Sequence, residues 1–494
     1  TFNTLPQGTY SGKTITVTDA SGNAGSLTLP DFVIDTTAPT LTQVTPITTP
    51  SNNTTPSFQF TTNEAGTLST NISQGFSSPN PASVTTGSTQ TITFNTLSQG
   101  NYSGKTITVS DAAGNAGSLT LPDFVIDTTA PTLSQVTAIT TPSNDTTPSY
   151  QFTTNEAGTL STNISQGFSS PNPANVTTGS TQTITFNTLP QGTYSGKTIT
   201  VTDASGNAGS LTLPDFVIDT TAPTLTQVTP ITTPSNNTTP SFQFTTNEAG
   251  TLSTNISQGF SSPNPATVNT SGNQTITFNI LPEGTYSGKT ITVTDAANNA
   301  ASLTIPDFVI DTTAPSLTQV TPITTPSNNT TPSYEFTTNE AGTLSTSISQ
   351  GFSTSSSVTT GSTQTITFNT LPQGTYSGKT ITVTDASGNA GSLTLPDFII
   401  DTTAPTLSEV TPITTPSNDT TPSYEFTTNE AGTLSTSISQ GFSTSSSVTT
   451  GSIQTITFNS LSDGTYSGET ITVTDASGNA GSLTLPDFVI DTTT

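Results

Sequence analysis

One six-residue stretch, Ile34-Asp35-Thr36-Thr37-Ala38-Pro39, recurs through the chain and constrains its fold more than any other feature. The same residues return from Ile126, Ile218, Ile310 and Ile400, at intervals of 90 to 92 residues, and the segments between the copies repeat as well. A unit of this length is a normal size for a small module that folds independently. The chain is therefore predicted to be a tandem array of one module.

The repeat divides the 494 residues into five full modules and a partial one. Residues 1–37 match the last third of a module, which could not bury a core by itself. A sequence that begins in mid-module is expected to be an excerpt from a longer array. The predicted full modules span residues 38–129, 130–221, 222–313, 314–403 and 404–494.

Apolar and polar residues alternate within each module, and no helical period is present. Phe58 and Phe60, for example, lie between polar residues, as expected for a strand with one buried face. Residues 74–88 are predicted to be a loop with at most one short edge strand. Some seven short strands separated by turns predict an all-β fold, a tandem array of immunoglobulin-like β-sandwich modules.

The last strand of a module, residues 118–127, breaks its own alternation. Leu119 and Leu121 have odd numbers, whereas Phe124 and Ile126 have even ones. One face of a regular strand cannot hold both pairs. A β-bulge at residues 122–123 is predicted to restore the register.

Two motifs carry a resemblance to known proteins. The Leu-x-x-Gly-x-Tyr sequence at residues 97–102 resembles the tyrosine corner of immunoglobulin-like sandwiches. Thr-Asp-Ala-Ser-Gly-Asn-Ala at 18–24, followed by a strand and Ile-Asp-Thr-Thr-Ala-Pro-Thr at 34–40, resembles the bacterial immunoglobulin-like tandem repeats of large surface adhesins and biofilm-associated proteins. The resemblance implies a role in cell adhesion on the bacterial surface or in biofilm. It also implies calcium at module junctions.

The charge balance excludes several functions. The chain has 31 Asp and Glu but only five Lys and Arg, a net charge of −26, so it should repel nucleic acid and attract divalent cations.

No apolar run approaches the roughly 20 residues of a membrane span, so no direct insertion is expected. With no His, Cys or Arg, the usual catalytic sets are missing, and the chain is predicted not to be an enzyme.

Most of the acids fall into four positions that recur in every module. They are the Asp of the joint (Asp35), a Glu in the turn between the second and third strands (Glu64), an Asp in the last turn (Asp111) and an Asp at the predicted bulge (Asp123). In a sandwich of this type, both turns return to the pole where the chain enters, and the preceding module ends there. Asp35 should therefore face Glu64 and Asp111, and Asp123 is expected to cap bulge amides instead.

Three such carboxylates would repel one another without a cation. Oxygen ligands without His or Cys suit Ca²⁺ better than Mg²⁺, which needs a tighter octahedral site. An amide oxygen of Asn63 or Asn115 could complete the site. The predicted Ca²⁺ ligands are Asp35, Glu64, Asp111, Asn115, Asp127, Glu156, Asp203, Asn207, Asp219, Glu248, Asp295, Asn299, Asp311, Glu340, Asp385, Asn389, Asp401, Glu430, Asp475 and Asn479.

Turn chemistry alone is the alternative for these acids, because Asp111 could simply form an Asx turn beside Gly114. Asp491 has no module after it in this sequence, so its set is expected to be incomplete.

The function predicted from these features is that of a structural extracellular stalk or spacer in a large repetitive bacterial surface adhesin, rigidified by calcium at its module junctions. The alternative is a subunit of a laterally packed filament, sheath or surface layer, which uncharged Thr, Ser and Asn faces would permit. A carbohydrate-binding array is a third class, although it lacks aromatic platforms. The expected partners are neighbouring modules, copies of the same chain and other cell-surface or matrix components.

Overall fold

The computed structural model describes residues 1–80, 82–172 and 174–493, and all regular structure in that part is β-strand. The chain forms two compact units. One consists of Thr1–Pro223 with Thr294–Ala300, and the other consists of Thr224–Val293 with the residues from Ala301 onward. Nowhere in the described ranges is there a helix with the length and apolar character needed to cross a membrane.

The strands of the first unit repeat with the sequence. In residues 1–37 they are β1 (Gly8–Tyr10), β2 (Thr14–Thr18), β3 (Ala24–Thr28) and β4 (Phe32–Ile34). In residues 38–129 they are β5 (Leu41–Thr45), β6 (Ser57–Thr62), β7 (Gly66–Thr70), β8 (Phe76–Ser78), β9 (Ser83–Val84), β10 (Gln90–Phe94), β11 (Gly100–Tyr102), β12 (Thr106–Ser110), β13 (Ala116–Thr120) and β14 (Phe124–Ile126). In residues 130–221 they are β15 (Leu133–Thr137), β16 (Ser149–Thr154), β17 (Gly158–Thr162), β18 (Phe168–Ser170), β19 (Asn175–Val176), β20 (Gln182–Phe186), β21 (Gly192–Tyr194), β22 (Thr198–Thr202), β23 (Ala208–Thr212) and β24 (Phe216–Ile218).

The same pattern continues to the end of the chain. In residues 222–313 the strands are β25 (Leu225–Thr229), β26 (Ser241–Thr246), β27 (Gly250–Thr254), β28 (Phe260–Ser262), β29 (Thr267–Val268), β30 (Gln274–Phe278), β31 (Gly284–Tyr286), β32 (Thr290–Thr294), β33 (Ala300–Thr304) and β34 (Phe308–Ile310). In residues 314–403 they are β35 (Leu317–Thr321), β36 (Ser333–Thr338), β37 (Gly342–Thr346), β38 (Ser357–Val358), β39 (Gln364–Thr367), β40 (Gly374–Tyr376), β41 (Thr380–Thr384), β42 (Ala390–Thr394) and β43 (Phe398–Ile400). In residues 404–493 they are β44 (Leu407–Thr411), β45 (Ser423–Thr428), β46 (Gly432–Thr436), β47 (Ser447–Val448), β48 (Gln454–Thr457), β49 (Gly464–Tyr466), β50 (Thr470–Thr474), β51 (Ala480–Thr484) and β52 (Phe488–Ile490).

Residues 38–129 form two four-stranded antiparallel sheets, with the orders β5-β6-β10-β8 and β13-β12-β7-β9, and the two-stranded sheet β11-β14. Phe58 and Phe60 from the first sheet pack with Ile107 and Val109 from the second in one buried cluster. The polar residues between them face outward, so the predicted alternation on these strands is confirmed. Each later module has a core of its own built from the equivalent residues. The fold is therefore an array of immunoglobulin-like β-sandwiches, as predicted.

The last strand differs from its prediction. A single strand with a bulge was expected over 118–127, but the chain forms two strands, β13 and β14, which belong to different sheets. β13 pairs with β12, whereas β14 pairs with the short strand β11. The change of parity is real, and the chain accommodates it by leaving one sheet and joining another.

The loop predicted at residues 74–88 also holds more structure than expected. It contains two short edge strands, β8 and β9, one on each sheet. In the last two modules the shortened loop keeps a single antiparallel bridge in place of β8, from Phe352 to Phe368 and from Phe442 to Phe458, and the first sheet has three strands. The two-residue deletion therefore reduces an edge strand to a bridge, and the phenylalanine still packs against the core.

The predicted tyrosine corner is confirmed. The Tyr102 hydroxyl donates a hydrogen bond to the carbonyl of Ser98, four residues upstream, at 2.8 Å. Its ring stacks on Phe124 of β14, with centroids 4.9 Å apart and planes 4° from parallel. The corner therefore fixes the strand that leads into the joint. The same hydroxyl bond recurs at Tyr10, Tyr194, Tyr286, Tyr376 and Tyr466.

Candidate metal centre

The joint begins with an aspartate whose side-chain and backbone oxygens accept hydrogen bonds from different residues. The backbone N–H of Thr37 donates to Asp35 Oδ1 at 3.0 Å, which closes an Asx turn. The hydroxyls of Thr36 and Thr37 both donate to Oε1 of Gln7, which lies in the preceding tyrosine corner. Among the described residues, no hydrogen bond is made to Oδ2 of Asp35, so this oxygen could serve as a ligand.

The glutamate of the site lies in the turn between β6 and β7. The turn is held by the Thr62 side chain, because its hydroxyl accepts the Glu64 N–H and donates to the Glu64 carbonyl. Asn63 ties the same turn to the joint by accepting a bond from the Thr40 N–H at 2.6 Å. Within the described part of the chain, the Glu64 carboxylate itself receives no hydrogen bond.

The second aspartate lies in the last turn, between β12 and β13. Oδ1 of Asp111 accepts the backbone N–H groups of Ala113 and Asn115, at 2.8 and 2.9 Å. The Asx turn considered as an alternative is therefore present. The backbone bonds of the turn do not use Oδ2 of Asp111, which accepts Nδ2 of Asn115, so turn formation and a ligand role are compatible.

These three carboxylates converge where two modules meet. In each set one carboxylate oxygen per residue lies within 4.8 Å of the other two. The residues are half-buried, and they come from the end of one module and two turns of the next. Each set could therefore hold one metal ion. The sets that lie within one compact unit are Asp35, Glu64, Asp111; Asp127, Glu156, Asp203; Asp311, Glu340, Asp385; and Asp401, Glu430, Asp475.

One predicted set has its members in both units. Asp219 and Asp295 belong to the first unit, and Glu248 belongs to the second. Within the first unit, Asn299 Nδ2 donates to the Asp219 carbonyl at 2.8 Å and to Oδ2 of Asp295 at 2.9 Å. The part of this joint that lies in one unit therefore has the hydrogen bonds found at the other joints.

The predicted amide ligand is a hydrogen-bond donor in the structure. Nδ2 of Asn115 donates to the backbone carbonyl of Asp35 at 3.0 Å and to Oδ2 of Asp111 at 2.9 Å. Both amide hydrogens are used, so Oδ1 is the atom that Asn115 could offer to a cation. Its role as a ligand stays a prediction, whereas its role in tying two modules together is visible. Asn207, Asn389 and Asn479 make the same pair of bonds.

The crowding of negative charge shows in the ionisation of the site. Partial burial, followed by the charges of Asp35 and Asp111, raises the pKa of Glu64 above its ordinary value. In contrast, the side-chain hydrogen bond from Asn115 lowers the pKa of Asp111. Glu64 is thus the carboxyl group of the site whose charged form is disfavoured. A cation bound at the centre would favour that charged form and lower the pKa of Glu64.

Two other residues have roles that differ in how well they were predicted. Asp123 accepts bonds from the Ser103 hydroxyl and the Gly104 N–H, at 2.6 and 3.3 Å. It therefore lies outside the metal centre and caps a backbone amide, as expected, but the amide belongs to the turn between β11 and β12 and not to the predicted bulge. Gln99 had no predicted role, yet its Oε1 accepts the hydroxyls of Thr128 and Thr129 in the joint. Its recurrence in the tyrosine corner was the available signal.

The third full module has Glu283 where the first, second and fourth have Gln99, Gln191 and Gln373, and the fifth has Asp463. Its carboxylate accepts hydrogen bonds from Thr312 and Thr313, which lower its pKa. Burial first, then Asp311, Asp385 and Glu283, raise the pKa of Glu340. The joint after this module therefore holds one more negative charge than its neighbours.

No family model and no curated protein matches the chain. Among solved structures, the chain is similar to Salmonella alpha-2-macroglobulin reacted with methylamine, at 10% identity and a TM-score of 0.17, over 98% of this chain and 42% of that one. It is also similar to the N-terminal eight Ig domains of Down Syndrome Cell Adhesion Molecule, at 9% identity and a TM-score of 0.21, over 94% of this chain and 72% of that one. The assignment of the sandwich fold rests on the strands and cores described above.

Proposed function

We propose that this chain is a section of an extracellular stalk in a large bacterial surface adhesin, in which calcium bound at the module joints stiffens the array. The role is mechanical and needs no catalysis. The observation that supports it is the convergence, at each joint within a unit, of one carboxylate from a module's end with two from the next module. A bound cation would join the modules by ionic bonds.

Calcium is the cation that suits these sets best. One ion bonded to two oxygens at about 2.4 Å can bridge an oxygen separation of up to about 4.8 Å. The oxygens of each set lie within 4.8 Å of one another, so any two of them could share one calcium ion. Magnesium, with bonds of about 2.0–2.1 Å, demands near-ideal octahedral geometry, whereas calcium accepts six to eight oxygens in a flexible geometry. Calcium outside the cell would also let the chain remain flexible during export and stiffen afterwards.

Small-angle X-ray scattering on the whole chain, in calcium and in chelator, tests this function. We expect calcium to increase the maximum dimension and the stiffness. A variant with the five site glutamates changed to glutamine should not respond. Equal scattering profiles of the parent with and without calcium would contradict the proposed joint. The five changes are Glu64→Gln, Glu156→Gln, Glu248→Gln, Glu340→Gln and Glu430→Gln.

A laterally packed filament or sheath is the second candidate. The outer face of the β12–β13 pair is uncharged, and Thr108 and Ser118 share a hydrogen bond between hydroxyls at 2.7 Å. The same pair recurs in later modules, as at Thr200 and Ser210. Hydroxyls paired in this way would allow close approach between copies. Electron microscopy of the native material distinguishes single stalks from ordered lateral arrays.

A further inference from the structure

In four of the five full modules, the loop between the first and second strands contacts the module that follows. The backbone N–H of Asn52, between β5 and β6, donates to the carbonyl of Ser205 in the last turn of the next module, at 2.9 Å. These two residues are far apart in sequence and are joined by backbone atoms alone. The same bond joins Asn144 to Ala297 at 3.1 Å, Asn236 to Ser387 at 3.1 Å and Asn328 to Ser477 at 2.9 Å.

The loop is held rigidly against the strand from which the joint departs. Ser51 donates its N–H to the carbonyl of Val125 at 3.1 Å and accepts the N–H of Asp127 at 3.0 Å, in a parallel bridge to β14. Ser51 Oγ also accepts the N–H of Asn53 at 3.1 Å. The N–H of Asn52 is therefore presented by a short segment fixed on both sides, at the point where Asp127 leaves the module.

The turn on the other side approaches the loop closely. Gly206 has a φ of 92°, a conformation that favours glycine, and a Cβ there would lie 3.3 Å from Nδ2 of Asn52. The third full module has Asn298 at this position, with a φ of 73°. Its carbonyl accepts a second bond, from Nδ2 of Asn144 at 3.0 Å. Two different turn sequences thus make the same contact.

We infer that residues 51–53 and their counterparts form a docking loop that orients the next module directly, through hydrogen bonds that need no cation. The docked turn also carries Asp203, and its Asn207 donates to the Asp127 carbonyl at 2.9 Å. Docking therefore assembles two of the three carboxylates before any ion arrives. The loop sets the orientation of the module, and an ion would add stiffness to an orientation already chosen.

The experiment measures orientation across one joint of the whole chain. The chain has no cysteine, so Thr120→Cys and Thr212→Cys on equivalent exposed strand positions can be spin-labelled uniquely. Electron–electron double resonance then gives the distribution of distances between the labels. In chelator we expect a narrow distribution for the parent, and one at least two-fold broader for Asn52→Pro, which removes the N–H donor.

Two matched variants separate docking from general damage. Asn52→Ala keeps the N–H and should keep the narrow distribution. Asn144→Pro makes the same change in the next loop, whose contact lies at another joint, and should leave this distribution unchanged.

If Asn52→Pro disturbs its own loop, the distance distributions of the parent in chelator and in calcium still test the inference. A distribution that is broad in chelator and narrows with calcium would overturn docking while supporting the calcium joint. A distribution that is narrow in both conditions, and broad only in Asn52→Pro, would support docking and contradict stiffening by calcium. An equally narrow distribution in Asn52→Pro would overturn docking.

Discussion

A variant in which the site glutamates are replaced should be more thermally stable than the parent in chelator and less stable than the parent in calcium. The perturbation is Glu→Gln at the five predicted glutamates, which removes one of three carboxylates from each set. In chelator the variant should melt above the parent, because burial and the two neighbouring aspartates disfavour the charged glutamate. In calcium the parent should melt higher, because it alone keeps the full set.

The size of the calcium effect follows from one ion per joint. Extracellular calcium modules have a Kd of about 10⁻⁴ to 10⁻³ M. At about 10 mM calcium, binding then stabilises each joint by about 1.4 to 2.7 kcal/mol. For a module of 90 to 92 residues, each kcal/mol shifts the melting temperature by roughly 4 to 8 °C. Calcium should therefore raise the parent's melting temperature by about 6 to 22 °C.

Differential scanning calorimetry in calcium and in chelator measures both effects. A control variant removes five acids elsewhere, each replaced by the amide that sister modules carry at the same position. It should respond to calcium as the parent does. If the glutamate variant also gains the full stabilisation, or melts below the parent in chelator, the electrostatic argument is wrong. The control changes are Asp145→Asn, Asp419→Asn, Glu335→Gln, Glu425→Gln and Glu409→Gln.

Three further perturbations follow from the geometry. In chelator, the raised pKa of Glu64 stabilises the folded state at pH values below 4.5, the ordinary pKa of this group. This stabilisation is lost as pH rises through the raised pKa. The lowered pKa of Asp111 has the opposite effect, because the stability that it contributes is lost as pH falls through the lowered pKa. The melting temperature should therefore peak in mildly acid solution. Tyr102→Phe removes one hydrogen bond and should cost about 0.5–1.5 kcal/mol in urea unfolding, whereas Tyr150→Phe restores the residue of a sister module and should cost less. Gly66→Ala places a Cβ 2.3 Å from the Ser110 carbonyl oxygen and should cost about 1–3 kcal/mol by the same assay.

The sequence was sufficient to predict the sandwich and the meeting of the acids, because both follow from periodicity. Alternation places Phe58 and Phe60 inside, and strand count places Glu64 and Asp111 at the entry pole. The split of the last strand was visible only as a conflict of parity. A bulge and a change of sheet satisfy that conflict equally well, and the pairing of β14 with β11 is a tertiary choice.

The contact between Asn52 and Ser205 could not be predicted in this way. Asparagine in a Pro- and Thr-rich segment is an ordinary turn residue, and both groups in the bond are backbone atoms that every residue has. Only the relative placement of two modules brings them together. The role of Gln99 was easier to predict from the sequence, because a repeated amide at a fixed distance before the joint is unusual for a purely exposed corner.

The joint requires aspartate because one residue must make three different bonds. The carbonyl of Asp127 accepts from Asn207, Oδ1 accepts the N–H of Thr129 to close the turn, and Oδ2 faces the next module, where it accepts the Ser205 hydroxyl at 3.3 Å. Asparagine could close the turn but would bring no charge to a cation. Glutamate would bring the charge, but its longer side chain does not form an Asx turn. The repeated Asp-Thr-Thr motif is thus explained by turn geometry and by charge together, since neither requirement alone selects this residue.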